Sequence, residues 1–267
     1  MQKFYKIAML VCLMHVNAGD VWAQIPPKPP ALPEPVTFYG QYSFSWAGLR
    51  LGKLALGMDE TKDSYKLYLS VTSAGIVNLF THHTNSTEAH GKRSKDAYHP
   101  EFYESFYKTK KKPRQIRLQY DAKGNVTEVF NEPPEDRAKR PEVPAETSKG
   151  SYDPLTGMMA IRAGVYSLKA FDVKRFYEVT AESKGMETMS ILGKDVEAEQ
   201  LVLSRKPVAG MTEKEMKEYE AGEPPLSFYF SNDARRVPVL MTLPIMLGSV
   251  KGLLTKECAT WDECKVN

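Results

Sequence analysis

Histidines and a carboxylate lie close together in this sequence, and these residue types could bind a transition metal. Four of the five histidines share one short window with Glu88, namely His82, His83, His90 and His99. On a strand, Glu88 and His90 share a face because side chains alternate, and imidazole and carboxylate are ligands of transition metals. The window is also rich in Thr, Ser, Lys and Arg, which is typical of a solvated strand and loop. We therefore predict no metal site and keep a metal-dependent envelope enzyme as an alternative.

Motifs of the common hydrolases and nucleotide-binding enzymes are missing from the sequence. It contains no Gly-x-Ser-x-Gly elbow, no His-Glu-x-x-His zinc motif and no phosphate loop. Glu182, Glu187, Asp195 and Glu197 lie on predicted neighbouring strands, where acidic side chains usually face solvent. The sequence therefore predicts a protein that is not an enzyme, with no catalytic residues and no cofactor.

The N-terminus has the features of a signal peptide. Lys3 and Lys6 precede the apolar run Ile7–Met14, and Ala23 is a small residue at a suitable cleavage position. We predict a signal peptide at 1–23, cleaved after Ala23, and a location in the periplasm. No later segment has the roughly 18 apolar residues that a membrane span needs. The formal net charge of +3 is not that of a nucleic-acid-binding protein.

The three cysteines lie near the two ends of the chain. Val11 precedes Cys12, whereas lipoprotein signals resemble a pattern with a small residue at that place, so we predict no lipid attachment. Cys258 and Cys264 form an isolated pair in the last residues. In an exported protein such a pair predicts a disulfide, here within a C-terminal tail over 258–267.

A proline-rich segment follows the predicted signal peptide. Residues 24–36 contain six prolines, which disfavour helix and strand and favour an extended, polyproline-like arm. The arm is predicted to be a spacer or a strap on the domain surface. The alternative is a ligand for a partner protein in the envelope.

The sequence then changes to an alternating pattern that is typical of strands. Phe38, Gly40, Tyr42, Phe44 and Trp46 alternate with polar residues and Tyr39, as in a strand with one buried aromatic face. Similar segments recur at intervals of about ten residues: 51–58, 65–71, 84–90, 101–109, 114–120, 126–130, 174–180, 189–192, 198–204, 226–231, 237–243 and a closing strand within 245–254. The pattern predicts a mainly β domain over 37–257, in which one curved antiparallel sheet forms a barrel or half-barrel.

Helix signals are few. Asp153 is a suitable N-cap before Pro154, and Leu155, Met158 and Met159 follow at helical spacing. We predict one short central helix here, lying against the concave face of the sheet. Residues 212–219 are charged nearly all round and predict a short surface helix, and residues 132–151 predict a flexible surface loop.

Aromatic and methionine side chains on the inside of a curved sheet predict an apolar cavity for a lipid or other hydrophobic ligand. Paired arginines beside it are suited to a phosphate or carboxylate headgroup. The alternative is that the rings are ordinary cross-strand partners and that the arginines are solvated charges at a strand edge. The predicted ligand-binding residues are Phe44, Trp46, Met158, Met159, Phe228, Arg235 and Arg236.

Short motifs in the sequence resemble a known family. They are Tyr42-x-Phe44-x-Trp46-x-Gly48 with Leu51-Gly52, then His99–Tyr103, Asp153–Thr156 and Ser231–Val239. These motifs, spread over roughly residues 38–255, resemble the domain of unknown function 3108 family of proteobacterial periplasmic proteins. The resemblance implies a curved antiparallel sheet similar in shape to the half-barrels of lipoprotein carriers, which hold acyl chains between a half-barrel and helices. It transfers no catalytic residue.

Together these features predict a periplasmic, non-enzymatic protein that binds a hydrophobic ligand or envelope lipid and supports cell-envelope integrity. The alternatives are an envelope scaffold that binds a partner protein through the proline-rich arm or the 132–151 loop, and the metal-dependent envelope enzyme.

Overall fold

A computed structural model of the protein describes residues 35–75, 83–94, 97–108, 113–222, 224–245 and 247–266. The predicted signal peptide and most of the proline-rich arm lie outside these residues. The strands of the described part are β1 (Thr37–Trp46), β2 (Leu49–Glu60), β3 (Ser64–Ser73), β4 (Thr84–Arg93), β5 (Tyr98–Lys108), β6 (Arg114–Tyr120), β7 (Val126–Glu132), β8 (Ser167–Phe171), β9 (Phe176–Ile191), β10 (Lys194–Ala209), β11 (Leu226–Ser231), β12 (Pro238–Ile245) and β13 (Gly248–Glu257). The helices are α1 (Pro154–Arg162), α2 (Glu213–Glu220) and α3 (Trp261–Cys264).

The described strands form one antiparallel sheet in the order β7-β6-β5-β4-β3-β2-β1-β13-β12-β11-β10-β9-β8. Nearly every strand pairs with its neighbour in the chain, because antiparallel neighbours need only a short turn. The pairing of β1 with β13 joins the N-terminal and C-terminal halves of the sheet. The sheet is curved and unclosed, with β7 and β8 as its outermost strands. This confirms the predicted mainly β half-barrel, but β13, predicted to close the sheet, lies at its centre.

The first strands each bury one face, as their alternating sequence predicts. Phe38, Met58 and Leu67 lie side by side on β1, β2 and β3, and each is at most 2% exposed. A Cβ at Gly40 would lie 2.5 Å from Cζ of Phe38 and 2.8 Å from Cδ1 of Leu254, so the glycine leaves room for both side chains. These residues form part of a filled core inside the half-barrel.

Helix α1 lies in the interior of the sheet, as the sequence predicts. The carboxylate of Asp153 accepts hydrogen bonds from the backbone N–H groups of Leu155 and Thr156 at 3.0 and 2.9 Å, which satisfies two free donors of the first turn. Leu155 and Met159 pack in the core formed mainly by β1–β6. Ile161 packs in a second core with β8–β11. Among the described residues, no helix is long and apolar enough to cross a membrane.

The C-terminal end of α1 is held by a buried ion pair. The side chains of Arg162 and Glu60 are both 0% exposed and lie 2.7 Å apart. The hydroxyl of Tyr98 donates to Glu60 at 2.8 Å, and the guanidinium of Arg162 donates to the carbonyl oxygens of Arg235 and Arg236. Four parts of the fold, namely β2, β5, α1 and the β11–β12 turn, therefore meet at one buried charge pair.

The C-terminal tail is folded back on the sheet. Cys258 and Cys264 form the predicted disulfide, with a Cα–Cα distance of 5.6 Å. The side chain of Gln41 donates to the carbonyl oxygen of Cys264 at 2.8 Å, and Trp261 stacks on Tyr68 with the ring centres 5.3 Å apart. The disulfide thus holds α3 against β1 and β3.

The segment between β7 and α1, predicted as a flexible loop, is irregular, and ion pairs hold it against the rest of the protein. Glu135 pairs with Arg114 of β6 and with Lys174 of the β8–β9 turn. Arg140 pairs with Glu215 of α2 at 2.8 Å. Arg140 also pairs with the nearby Glu135 at 3.3 Å. The sequence could not show the contacts with Gly210 and Glu215, because these residues lie 70 and 75 positions from Arg140.

The same segment fills the space between the two outermost strands. Val143 packs against the core and shares a cleft with Val126 of β7 and Phe171 of β8. The segment therefore covers part of the open side of the half-barrel, where β7 and β8 do not pair with each other.

Replacing Arg140 by methionine is expected to loosen this segment. The Arg140 side chain is 12% exposed, and it donates to both carboxylate oxygens of Glu215 and to the carbonyl oxygen of Gly210. Loss of a partly buried pair should lower the free energy of unfolding by about 1–2 kcal/mol. Hydrogen–deuterium exchange should rise in residues 133–151. Arg137→Met is the matched control, because Arg137 is 57% exposed in its pair with Glu142; equal exchange in the two variants would contradict the prediction.

The Arg140–Glu215 pair also predicts acid sensitivity. Burial acts to raise the pKa of Glu215, but hydrogen bonds from Arg140 and Thr212 outweigh it and lower the pKa from 4.5 to about 2. A carboxyl whose pKa is lowered by folding stabilises the protein above its unfolded pKa, and this stabilisation is lost as the pH falls towards the folded pKa. Stability should therefore fall between pH 4.5 and about 2, and less steeply in the Arg140→Met variant.

Candidate apolar ligand site

An apolar cleft of about 290 Å³ lies between α1 and strands β8–β11; we call it the α1 cleft. Its volume is near the lower end of the roughly 300–1,000 Å³ typical of small-molecule sites. Three of the lining residues are polar or charged: Asp172, Tyr177 and Arg205. The others are Pro154, Gly157, Met158, Ile161, Leu168, Ala170, Val179, Leu203, Leu226 and Phe228.

The local sequence explains why the α1 cleft is open and apolar. On α1, Met158 and Ile161 are three positions apart and therefore lie on the same side of the helix. Gly157 has no side chain, and the nearest atoms to a Cβ at this position would be Tyr152 Cβ at 3.6 Å and Leu168 Cδ1 at 3.8 Å. An ordinary side chain here would reach towards the cleft, so the glycine helps to keep it free.

A cationic and aromatic group forms the polar side of the cleft. The guanidinium groups of Arg175 and Arg205 lie 5.9 and 5.4 Å from the ring centre of Tyr177, within the range of cation–π contacts. Arg175 also donates two hydrogen bonds to Asp172 at 2.9 and 2.6 Å. Tyr177 and Arg205 line a neighbouring polar cleft as well. The α1 cleft therefore combines apolar walls with a few charged and hydrogen-bonding side chains on one side, an arrangement suited to an amphiphilic or apolar ligand.

The structure does not bring all the predicted ligand-binding residues together. Met158 and Phe228 both line the α1 cleft. Met159 is fully buried in the core, because it points about 100° away from Met158 around α1. Phe44 lines a different cleft beside β2 and β3, and the indole N–H of Trp46 donates to the carbonyl oxygen of Leu247 at 2.7 Å.

The predicted arginine pair lies in the β11–β12 turn and is engaged by the protein itself. Arg235 pairs with Asp233 at 3.2 Å and with Glu257 at 3.1 Å. Arg236 pairs with Glu199 at 2.7 Å and donates to the carbonyl oxygen of Arg162. Neither arginine lines the α1 cleft. Their contacts connect the turn to α1, β10 and β13.

The histidines of the sequence window lie in separate environments. His90 stacks on Phe102 with ring centres 5.0 Å apart, and His99 lies 3.4 Å from the hydroxyl of Ser94. His83 is 6.4 Å from the ring of Tyr107, and His82 lies outside the described residues. Within the part of the chain that the structure describes, no three His, Cys, Asp or Glu side chains are grouped as metal ligands.

Sequence reasoning missed one wall of the α1 cleft. Strand β8 supplies Leu168 and Ala170, and its five residues were not among the predicted strands. A signal was present, because Leu168 and Ala170 alternate with the polar residues Ser167 and Lys169. A run of this length carries little periodic information.

The fold and the cleft define the class of protein: an unclosed β-barrel with an internal helix and an apolar cleft beside that helix. The model of a family described as "Protein of unknown function (DUF3108)" matches residues 41–255. The chain belongs to this family, which confirms the resemblance seen in the sequence motifs.

The structure is similar to a solved one, described as the crystal structure of a beta-barrel-like protein of domain of unknown function DUF1849 from Brucella abortus. The TM-score is 0.50 at 11% sequence identity, and the alignment covers 85% of this chain and 100% of that chain. At this identity the likeness supports the fold alone. A comparison with curated proteins found no match.

Proposed function

We propose that this chain is an exported, non-enzymatic protein of the periplasm that binds a hydrophobic ligand or envelope lipid in the α1 cleft and so supports cell-envelope integrity. The observation that carries the proposal is the cleft itself, where Met158 and Phe228 meet although 70 residues separate them in the chain. The buried residues of the half-barrel pack together in one core, which supports a ligand position beside α1 over one in the centre of the sheet.

Two further features support the proposal. The volume of about 290 Å³ suits one acyl chain or a small apolar molecule better than a whole diacyl lipid. The signal-peptide pattern at 1–23 and the disulfide between Cys258 and Cys264 fit an oxidising compartment outside the cytoplasm. The walls of the cleft are mainly apolar, which supports a role in holding a hydrophobic ligand.

Replacing Gly157 by leucine is expected to weaken ligand binding at least about tenfold, because the new side chain occupies space that the ligand would fill. The measurement is a fluorescence titration with dansylaminoundecanoic acid, a fatty-acid probe that becomes bright in apolar surroundings. Gly157→Ala is the matched control. Its Cβ would have ordinary contacts, and alanine favours a helix by about 1 kcal/mol over glycine, so this variant should keep the fold and most of the affinity.

Two results would contradict the proposal: no uptake of the probe by the unaltered protein, or equal uptake by the Gly157→Leu and Gly157→Ala variants. Circular dichroism of both variants establishes that they remain folded. A second change, Met158→Glu, places a charge in the cleft without filling it and should abolish probe uptake as well.

A further inference from the structure

Two neighbouring hairpin turns at one end of the sheet expose an apolar surface. Leu49 in the β1–β2 turn is 54% exposed, and Leu247 and Ile245 at the β12–β13 turn are 68% and 37% exposed. Because β1 pairs with β13, the turns are adjacent, and the indole N–H of Trp46 joins them by donating to the carbonyl oxygen of Leu247. Aliphatic side chains exposed together mark an interaction surface. We call Trp46, Leu49, Ile245 and Leu247 the apolar tips.

Basic residues, and no acidic ones, occur in the parts of the strands that lie towards the apolar tips. Neither Thr37–Met58 nor Val239–Lys256 contains an Asp or Glu. Arg50 and Lys251 are exposed, and both lie directly opposite Ser45 of β1, one on each side. Residues opposite each other share a face of the sheet, so the two cations flank the same strand. Lys251 is three residues behind the turn, a distance of about 10 Å at the rise of a strand.

We propose that the apolar tips insert into the interface of a lipid bilayer that contains anionic lipids. Apolar side chains of peripheral proteins enter the headgroup and acyl boundary to a depth of about 5–10 Å. Lys251, set back from the β12–β13 turn by a similar distance, then lies at the level of the phosphates, and Arg50 lies level with it across Ser45. This surface is separate from the α1 cleft, so the inference goes beyond the proposed ligand binding and does not depend on it.

The positive charge beside the apolar tips favours a bilayer over a second copy of the chain as their binding partner. In a two-fold dimer formed through the tips, the same patch of both copies would meet, and Arg50 and Lys251 would face the same cations of the other copy. Like charges across an interface are unfavourable. Anionic headgroups instead attract each such cation with about 1 kcal/mol.

The test is co-sedimentation of the purified chain with vesicles made of equal parts phosphatidylglycerol and phosphatidylcholine. The unaltered protein should bind these vesicles and should bind pure phosphatidylcholine vesicles more weakly. Each of the changes Leu49→Ser and Leu247→Ser should weaken binding about tenfold through lost apolar burial. Arg50→Gln and Lys251→Gln should each weaken it about fivefold and reduce its dependence on salt.

The matched control is Leu192→Ser. Leu192 is another leucine in a hairpin turn, the one between β9 and β10, and it is 45% exposed. It should leave vesicle binding unchanged. The inference is overturned if the unaltered protein does not bind anionic vesicles, or if Leu192→Ser weakens binding as much as Leu247→Ser. A dimer in sedimentation equilibrium that Leu247→Ser dissociates would also overturn it. The fatty-acid probe should bind all these variants equally, so failure here is distinguishable from failure of the proposed ligand binding.

Discussion

Replacing Arg162 by alanine is expected to lower the free energy of unfolding by about 3–5 kcal/mol, because it leaves the buried carboxylate of Glu60 without its counter-charge. Both side chains are 0% exposed. One carboxylate oxygen of Glu60, Oε2, already has no hydrogen-bond partner among the described residues. Glu60→Ala should cost a similar amount, since it leaves the Arg162 guanidinium buried and unpaired.

The measurement is urea unfolding followed by circular dichroism, with the change read from the midpoint and the slope. Arg235→Ala is the control, because Arg235 is 45% exposed in its ion pairs, and loss of such pairs costs at most about 1 kcal/mol. The double variant Glu60→Leu with Arg162→Met removes both charges and should recover much of the loss. If the free energy of unfolding of either single variant lay within about 1 kcal/mol of that of the unaltered protein, the pair would not stabilise the junction of α1 with the sheet.

Replacing Asp153 by asparagine is expected to remove a contribution that makes the protein less stable as the pH rises through the weakly acidic range. Asp153 is 0% exposed, and burial raises its pKa from 3.8 to about 6 even though backbone N–H groups of Thr156 and Leu155 donate to it. Its Oδ2 atom has no hydrogen-bond partner among the described residues. The phenol groups of Tyr65, Tyr103 and Tyr120 face the same region.

The direction follows from proton binding in the two states. Between pH 3.8 and about 6, the folded protein holds a proton on Asp153 that the unfolded chain has released, so this group stabilises the fold less as the pH rises. Asparagine keeps an oxygen that can accept from Leu155 and Thr156 but cannot ionise. The stability of the variant relative to the unaltered protein should therefore increase by about 3 kcal/mol across this range.

Urea unfolding of both proteins at several pH values in this range measures that difference. Carboxyls with lowered pKa, such as Glu135 and Glu215, are present in both proteins, so their contribution cancels. Asp153→Ala is a useful comparison, because it removes the N-cap altogether and should destabilise the protein by about 1–2 kcal/mol even where aspartate is neutral. If the difference in free energy of unfolding between the two proteins did not change with pH, the raised pKa of Asp153 would be contradicted.

The α1 cleft and the apolar tips lie on different parts of the molecule, and each is suited to a different binding partner. The cleft has a volume of about 290 Å³, whereas the tips expose leucines beside two cations. A protein with both features is suited to meet a membrane and to accept an apolar molecule of limited size. The two sets of variants separate these activities experimentally.

Local sequence patterns predicted most of the strands because each depends on one buried face and one exposed face. The alternation around Phe38 and Tyr42 identified β1, and the Asp-Pro signal at Asp153 identified the start of α1, as the hydrogen bonds to Leu155 and Thr156 confirm. The cysteine pair was also predictable, since Cys258 and Cys264 lie close together in the chain. Strand β8 was missed because its five residues are too few to establish a period.

The composition of the candidate site was only partly predictable. Met158 and Phe228 were selected for their residue types, and the structure places both in the α1 cleft. Met159 was selected for the same reason, yet it lies in the core, because adjacent residues of a helix point in directions about 100° apart. Arg235 and Arg236 were selected as a headgroup site, but their carboxylate partners Glu257 and Glu199 could not be recognised from the sequence.

The strand-rich fold, the start of α1, the disulfide and the family could thus be predicted from local patterns of residues. Three further features required the three-dimensional fold: β13 lies between β1 and β12, Arg162 pairs with Glu60 at a separation of 102 residues, and the turns carrying Leu49 and Leu247 are neighbours. The physical reason is the range of the interactions involved. Alternation and capping act over a few residues and leave a local pattern, whereas strand order, buried charge pairs and shared surfaces arise from contacts between distant segments, which no short stretch of sequence contains.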